Sequence, residues 1–151
     1  MKAANTRAPV DAARSRQQVI GVDTSAKAIE EARKLAYKAG VYGARLKYYQ
    51  VESLSKLPFT GHFANLVVSA GMLSKGRCEG SAAEVFRVLR PDGGIACLGQ
   101  PEGIKPSLSK TALAAWLKRG KVQFEASDRG GTWAMVRRGK LEGAGSWTHQ
   151  Y

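Results

Sequence analysis

The chain has 151 residues, of which 44% are hydrophobic and 24% charged; this is the size and composition of one globular domain and too apolar for a disordered segment. Lys and Arg number 24 against 12 Asp and Glu, a formal charge of +12 that would draw nucleic acid, anionic lipid or an acidic partner domain. The basic residues are spread along the chain from Lys27 to Arg138, with no stacking motif or recognition-helix signature, so a solvated basic surface is favoured over a nucleic-acid face.

Cys78 and Cys97 lack CxxC spacing, and His62 and His149 are the only further soft ligands, so no metal site follows. Cys97 sits in an apolar run and reads as a small core residue, whereas Cys78 lies in a polar loop. Residues 1–16 are polar and Ala/Arg-rich, without the apolar stretch of a signal peptide. No later run approaches the roughly 20 apolar residues that cross a bilayer, which removes a membrane partner and makes the cytoplasm the expected location.

In chain order, residues 17–23 (QQVIGVD) form a β-branched run ending in an acid, followed by TSAKAIEEARKLAYKAG with a helical period. Thr24 or Ser25 caps that helix, Ile29, Ala32, Ala36 and Ala39 line one apolar face, Glu30 pairs with Lys34, and Gly40 stops it. RLKYYQ (45–50) and ANLVVS (64–69) read as strands, the second apolar enough to be covered on both faces. SAAEVFRVL (81–89) has helical spacing and ends at the turn RPDGG, which feeds the buried-type strand 95–98. A helix capped by Ser107 or Ser109 runs to about Lys118, with Leu113, Trp116 and Leu117 inward. Residues 121–126 and 132–137 then form a hairpin around SDRGG. Strand and helix alternate and end in an antiparallel pair, which predicts an α/β fold with a mostly parallel sheet.

Three stretches resemble a class I S-adenosylmethionine-dependent methyltransferase domain from its second strand onward: VIGVD with its capped helix, LPF followed by FANLVVSAGML, and EVFRVLRPDGG followed by IACLG. The resemblance covers residues 17–137 and implies a Rossmann-like three-layer sandwich with an antiparallel C-terminal hairpin. It places Asp23, with Thr24 beside it, where the family's strand-tip acid accepts hydrogen bonds from both ribose hydroxyls. Glu52 and Ser53 stand near the position that meets the adenine, and Ser69, Ala70 and Gly71 line the cleft at the end of the fourth strand. No single residue is marked as catalytic, because methyl transfer needs chiefly alignment of nucleophile and sulfonium.

Residues 1–16 (MKAANTRAPVDAARSR) contain no Gly-rich turn, so the family's first strand and the loop that holds the cofactor's methionine half are expected to be missing. This predicts a domain spanning 17–140 that starts mid-fold, a poorly ordered segment at 1–16, and impaired activity. The segment 141–151, ending in GAGSWTHQY, reads as a linker or the start of a following module. It resembles the junction to a pyrroloquinoline-quinone-type β-propeller in a larger protein. The leading expectation is methyl transfer to an unknown acceptor. The alternative is a non-catalytic scaffold whose basic surface docks a partner domain or an anionic polymer.

Overall fold

The structure, a computed structural model, describes residues 17–43 and 45–143. Among them, in chain order, are β1 (Val19–Asp23), α1 (Ala26–Lys38), β2 (Leu46–Gln50), β3 (Leu66–Val68) and α2 (Ala70–Lys75). There follow α3 (Ala82–Val88), β4 (Ile95–Pro101), α4 (Lys110–Arg119), β5 (Glu125–Ser127) and β6 (Gly131–Arg137). The chain divides into two compact units, Met1–Pro58 with Glu79–Ser81, and Phe59–Cys78 with Ala82–Tyr151.

In the first unit β1 and β2 pair in parallel, with Val19 opposite Leu46 and Asp23 opposite Gln50. The crossover between them is α1, whose N-cap is Ser25: its hydroxyl accepts from the Ala28 amide at 3.3 Å. Ile29, Ala32 and Ala36 form the helix's buried stripe and cluster with Leu46 and Tyr48 of β2. Arg33 ties helix to strand through polar contacts as well, donating to the Tyr48 carbonyl from Nε at 3.3 Å and from a terminal nitrogen at 2.7 Å. The anticipated Glu30–Lys34 pair is present at 2.7 Å, but both side chains are well exposed, so solvent screens it. The Tyr48 hydroxyl is buried without a partner among the described residues, and burial pushes its pKa up.

The second unit holds a four-stranded sheet in the order β3-β4-β6-β5, parallel between β3 and β4 and antiparallel elsewhere. The long β4–β6 ladder runs from Ile95 opposite Arg137 to Pro101 opposite Gly131. Its core gathers Leu98 and Val136 from the sheet, Met72 and Leu89 from the α2 and α3 regions, and Leu113, Trp116 and Leu117 from α4. Fully burying a side chain of this size contributes about 1.5–3 kcal/mol. Cys97 is only half-buried, and Cys78 packs against this core rather than lying free in solvent; both are free thiols.

The α/β, Rossmann-like architecture, the helix positions and the C-terminal hairpin follow the expected order. Three local features differ. Residues 70–75, to which the sequence pattern assigned no element, form a short helix, because Ser69 caps them and Gly76 closes them in the left-handed conformation at φ 59°. The strand expected from Lys121 begins at Glu125. The amides of Gly120, Lys121 and Val122 close the last turn of α4 on the carbonyls of Trp116, Lys118 and Leu117, which turns Val122 into the core. The third difference is β3, which is not covered on both faces: Leu66 is 62% and Val68 58% exposed. The segments 1–16 and 144–151, with Trp147 and His149, lie outside the described residues, and so do the expectations placed on them.

Among the described residues β3 pairs in its sheet only with β4, which leaves its other edge without a described strand partner beside exposed apolar side chains. Such an edge templates association. Leu66→Lys with Val68→Lys is therefore expected to lower concentration-dependent self-association in light scattering, without loss of helical circular dichroism. Unchanged association would show that the edge is not the sticky surface.

Candidate functional site

Parallel pairing brings the carboxyl ends of β1 and β2 to one rim. Asp23 closes β1 beside Gln50, the Val51 amide donates to the Asp23 carbonyl at 3.0 Å, and Glu52 and Ser53 follow directly. Asp23, Thr24, Glu52 and Ser53 thus share one end of the first sheet, where open α/β sheets bind ligands. Asp23 is half-buried, and its Oδ1 accepts from the Ser25 amide at 2.8 Å, which fixes the carboxylate at the entry to α1. Oδ2 has no hydrogen-bond partner among the described residues, so one face of the carboxylate stays available to a hydroxyl donor. Thr24 is exposed, and its carbonyl accepts from Gln50 Nε2 at 3.5 Å. Glu52 is exposed, while the Ser53 hydroxyl accepts from the Ser55 amide at 3.0 Å and keeps its own proton to donate.

The second sheet has its own carboxyl rim, built by parallel β3 and β4. Ser69 follows β3 and caps α2, accepting from the Met72 amide at 3.2 Å. Ala70 is exposed and Gly71 half-buried, in the first turn of that helix. On the neighbouring strand stands Gln100, 3% exposed and fully engaged. Its Nε2 donates to the carbonyls of Leu73 at 3.4 Å and Pro106 at 3.0 Å, and its Oε1 accepts from the Leu108 amide at 2.6 Å. One side chain therefore fastens the end of α2 and the loop after β4 to the rim. Sequence reading overlooked Gln100, although a polar residue closing the apolar run IACLG is the visible trace of such a clamp.

Other chemistry-bearing side chains have structural roles. His62 Nε2 lies 2.8 Å from the Arg138 guanidinium, which also donates to the carbonyls of Phe86 and Arg87 and sits 4.6 Å over the Phe86 ring. That knot satisfies the open carbonyls at the end of α3 and engages the ring nitrogen that a catalytic base would use. Trp116 is a core residue. Burial pushes the Cys78 thiol pKa up, away from a reactive thiolate. Among the described residues no group of three or more His, Cys, Asp or Glu could hold a metal ion, and no helix is long and apolar enough to cross a membrane.

Solved structures share this fold. The 4+2 cyclase SpnF superposes with a TM-score of 0.64 at 13% identity, covering 89% of this chain and 71% of that one. A SAM-dependent methyltransferase from Aquifex aeolicus gives 0.57 at 12% identity over 81% and 70% of the two chains. A TehB-like SAM-dependent methyltransferase from Corynebacterium glutamicum gives 0.57 at 14% identity over 90% and 76%. At such identities the likeness is one of fold, and the cyclase shows that this fold carries more than one chemistry. No relative was found among curated protein sequences. A methyltransferase domain family matches residues 5–93, more than half of the chain. On that match, the chain belongs to the methyltransferase domain family.

Proposed function

We propose that the chain binds S-adenosylmethionine through the rim of its first sheet and serves methyl transfer to an acceptor. The observation that carries this reading is Asp23, a carboxylate held at a parallel-strand tip by the Ser25 amide with Oδ2 left unpartnered. Such a group fits a ribose: it accepts from a hydroxyl in a charge-assisted bond stronger than a neutral one. Glu52 accepts and Ser53 donates at the same rim, which suits the edge of an adenine. S-adenosylmethionine would supply an electrophilic methyl on sulfonium; the chain's own residues bind and orient, since alignment supplies most of what this transfer requires.

In isothermal titration, S-adenosylhomocysteine should bind the wild-type chain in the submillimolar range. Asp23→Ala should lower affinity at least about tenfold, the equivalent of one charge-assisted hydrogen bond of 1.5–3 kcal/mol. Binding that ignores the substitution would remove the assignment. A non-catalytic docking role is the second reading, favoured by exposed cations without an acidic partner among the described residues, such as Lys118 and Arg119. Salt-sensitive capture of an anionic polymer, with no response to S-adenosylhomocysteine, would support it.

A further inference from the structure

The second sheet turns one face to its core and one face away from it. Ala96, Leu98, Ala134 and Val136 are buried against side chains of α2 and α4, and the residues that alternate with them along β4 and β6 point outward. Ladder pairing sets these outward residues in rows. Cys97 stands opposite Met135 and Met135 opposite Glu125, while Gly99 stands opposite Trp133 and Trp133 opposite Ser127. Because Gly99 has no side chain, the Trp133 ring lies over it; a β-carbon there would stand 2.7 Å from the ring. Beside the indole is a half-open cavity of about 210 Å³, whose lining includes Cys97, Glu125, Ser127, Trp133, Met135 and Arg137.

The size of this cavity narrows what can fill it. It lies between the roughly 150 Å³ that accommodates benzene and the roughly 300 Å³ at which sites for drug-sized ligands begin, so it fits one substituted ring. The lining suits an aromatic ring in particular: an indole offers a stacking face, and the thioether of Met135 and the thiol of Cys97 are polarisable groups that pack well against π-systems. The polar groups are Glu125 and Arg137, whose carboxylate oxygen and Nε stand 3.9 Å apart. That is too long for a hydrogen bond, so the acid keeps an acceptor and the guanidinium a donor for a third group. A hydroxyl accepts from one and donates to the other at once, as a bridging water does. The Ser127 hydroxyl, which accepts from the Arg129 amide at 3.4 Å, keeps its own proton to donate at the same lining.

We propose that this cavity binds a small molecule built on a single aromatic ring that carries a hydroxyl. The ring packs against Trp133, Met135 and Cys97, and the hydroxyl bridges Glu125 and Arg137. The site belongs to the second unit alone and stands whether or not the first sheet receives S-adenosylmethionine.

The test uses p-cresol and toluene, which differ only in the hydroxyl, added to the 15N-labelled full chain. With p-cresol the Trp133 indole N–H and the amides of Cys97, Ser127 and Met135 are expected to shift along one saturation curve, with a Kd in the millimolar range or tighter. Toluene should bind at the same place about tenfold more weakly, the loss expected for a hydroxyl bonded to charged groups. Glu125→Gln/Arg137→Gln should bring p-cresol down to the level of toluene and leave toluene unchanged. Trp133→Leu should weaken both probes and Trp133→Phe restore them, with circular dichroism verifying that each variant folds. No saturable shift from either probe, equal affinities for the two, or shifts centred on Trp116 in the core would overturn the proposal. So would a dimer in sedimentation that Trp133→Leu dissociates while neither probe binds, because the face would then belong to a second copy of the chain. Asp23→Ala is expected to leave p-cresol binding intact, so failure here and failure of the cofactor assignment show up in different titrations.

Discussion

Gly99→Val is expected to abolish cooperative unfolding of the second unit. Gly99 sits in β4 at φ 155°, opposite Trp133 of β6. A β-carbon at this position would strike the Thr132 carbonyl oxygen and lie 2.7 Å from the Trp133 ring and 2.8 Å from its Cα. Two of these neighbours are backbone atoms of the ladder partner, which cannot swing aside as a side chain would. Branching at Cβ adds to the clash, so β4 and β6 must separate locally. Because a domain's whole stability is about 5–15 kcal/mol, loss of its longest ladder leaves little margin. The readout is urea denaturation followed by tryptophan fluorescence; a wild-type-like sigmoid for Gly99→Val would contradict the packing described here.

The second large effect is expected at Leu117. This side chain of α4 is 1% exposed and belongs to the cluster of Met72, Leu98, Trp116 and Val136. Truncation to alanine removes buried methyl groups and leaves a cavity that the surrounding side chains fill only in part, costing about 2–5 kcal/mol. Leu141→Ala, at a residue 43% exposed, is expected to change stability by less than about 0.5 kcal/mol. Comparable midpoint shifts for the two variants would show that α4 does not anchor this core.

Much of this arrangement was legible in the sequence because local rules agreed with the fold. Ser25 and Ser109 cap the helices they precede, the stripe of Ile29, Ala32 and Ala36 is buried, and VIGVD is a parallel strand that ends on its acid. The grouping of Asp23 with Glu52 and Ser53 came from the family resemblance, and the parallel pairing of β1 with β2 puts these residues at one carboxyl end. What escaped depended on tertiary contacts. ANLVVS has the composition of a strand sheltered on both faces, but whether a face is covered is decided by distant chain, and Leu66 and Val68 are exposed. Gln100 was unremarkable as a residue type; its importance lies in three partners brought to it by α2 and the loop after β4. The short helix after Ser69 depends on a left-handed Gly76 that fits only because the backbone around Pro106 packs against it.

The central claim is that the shared end of β1 and β2 receives a nucleoside. Amide chemical shifts of the 15N-labelled chain, followed during addition of S-adenosylhomocysteine, test it residue by residue. The amides of Asp23, Thr24, Glu52 and Ser53 should move together along one saturation curve, while those of Val19 and Leu46, at the opposite end of the same strands, stay in place. Shifts confined to that opposite end, or none at any concentration reached, would contradict it.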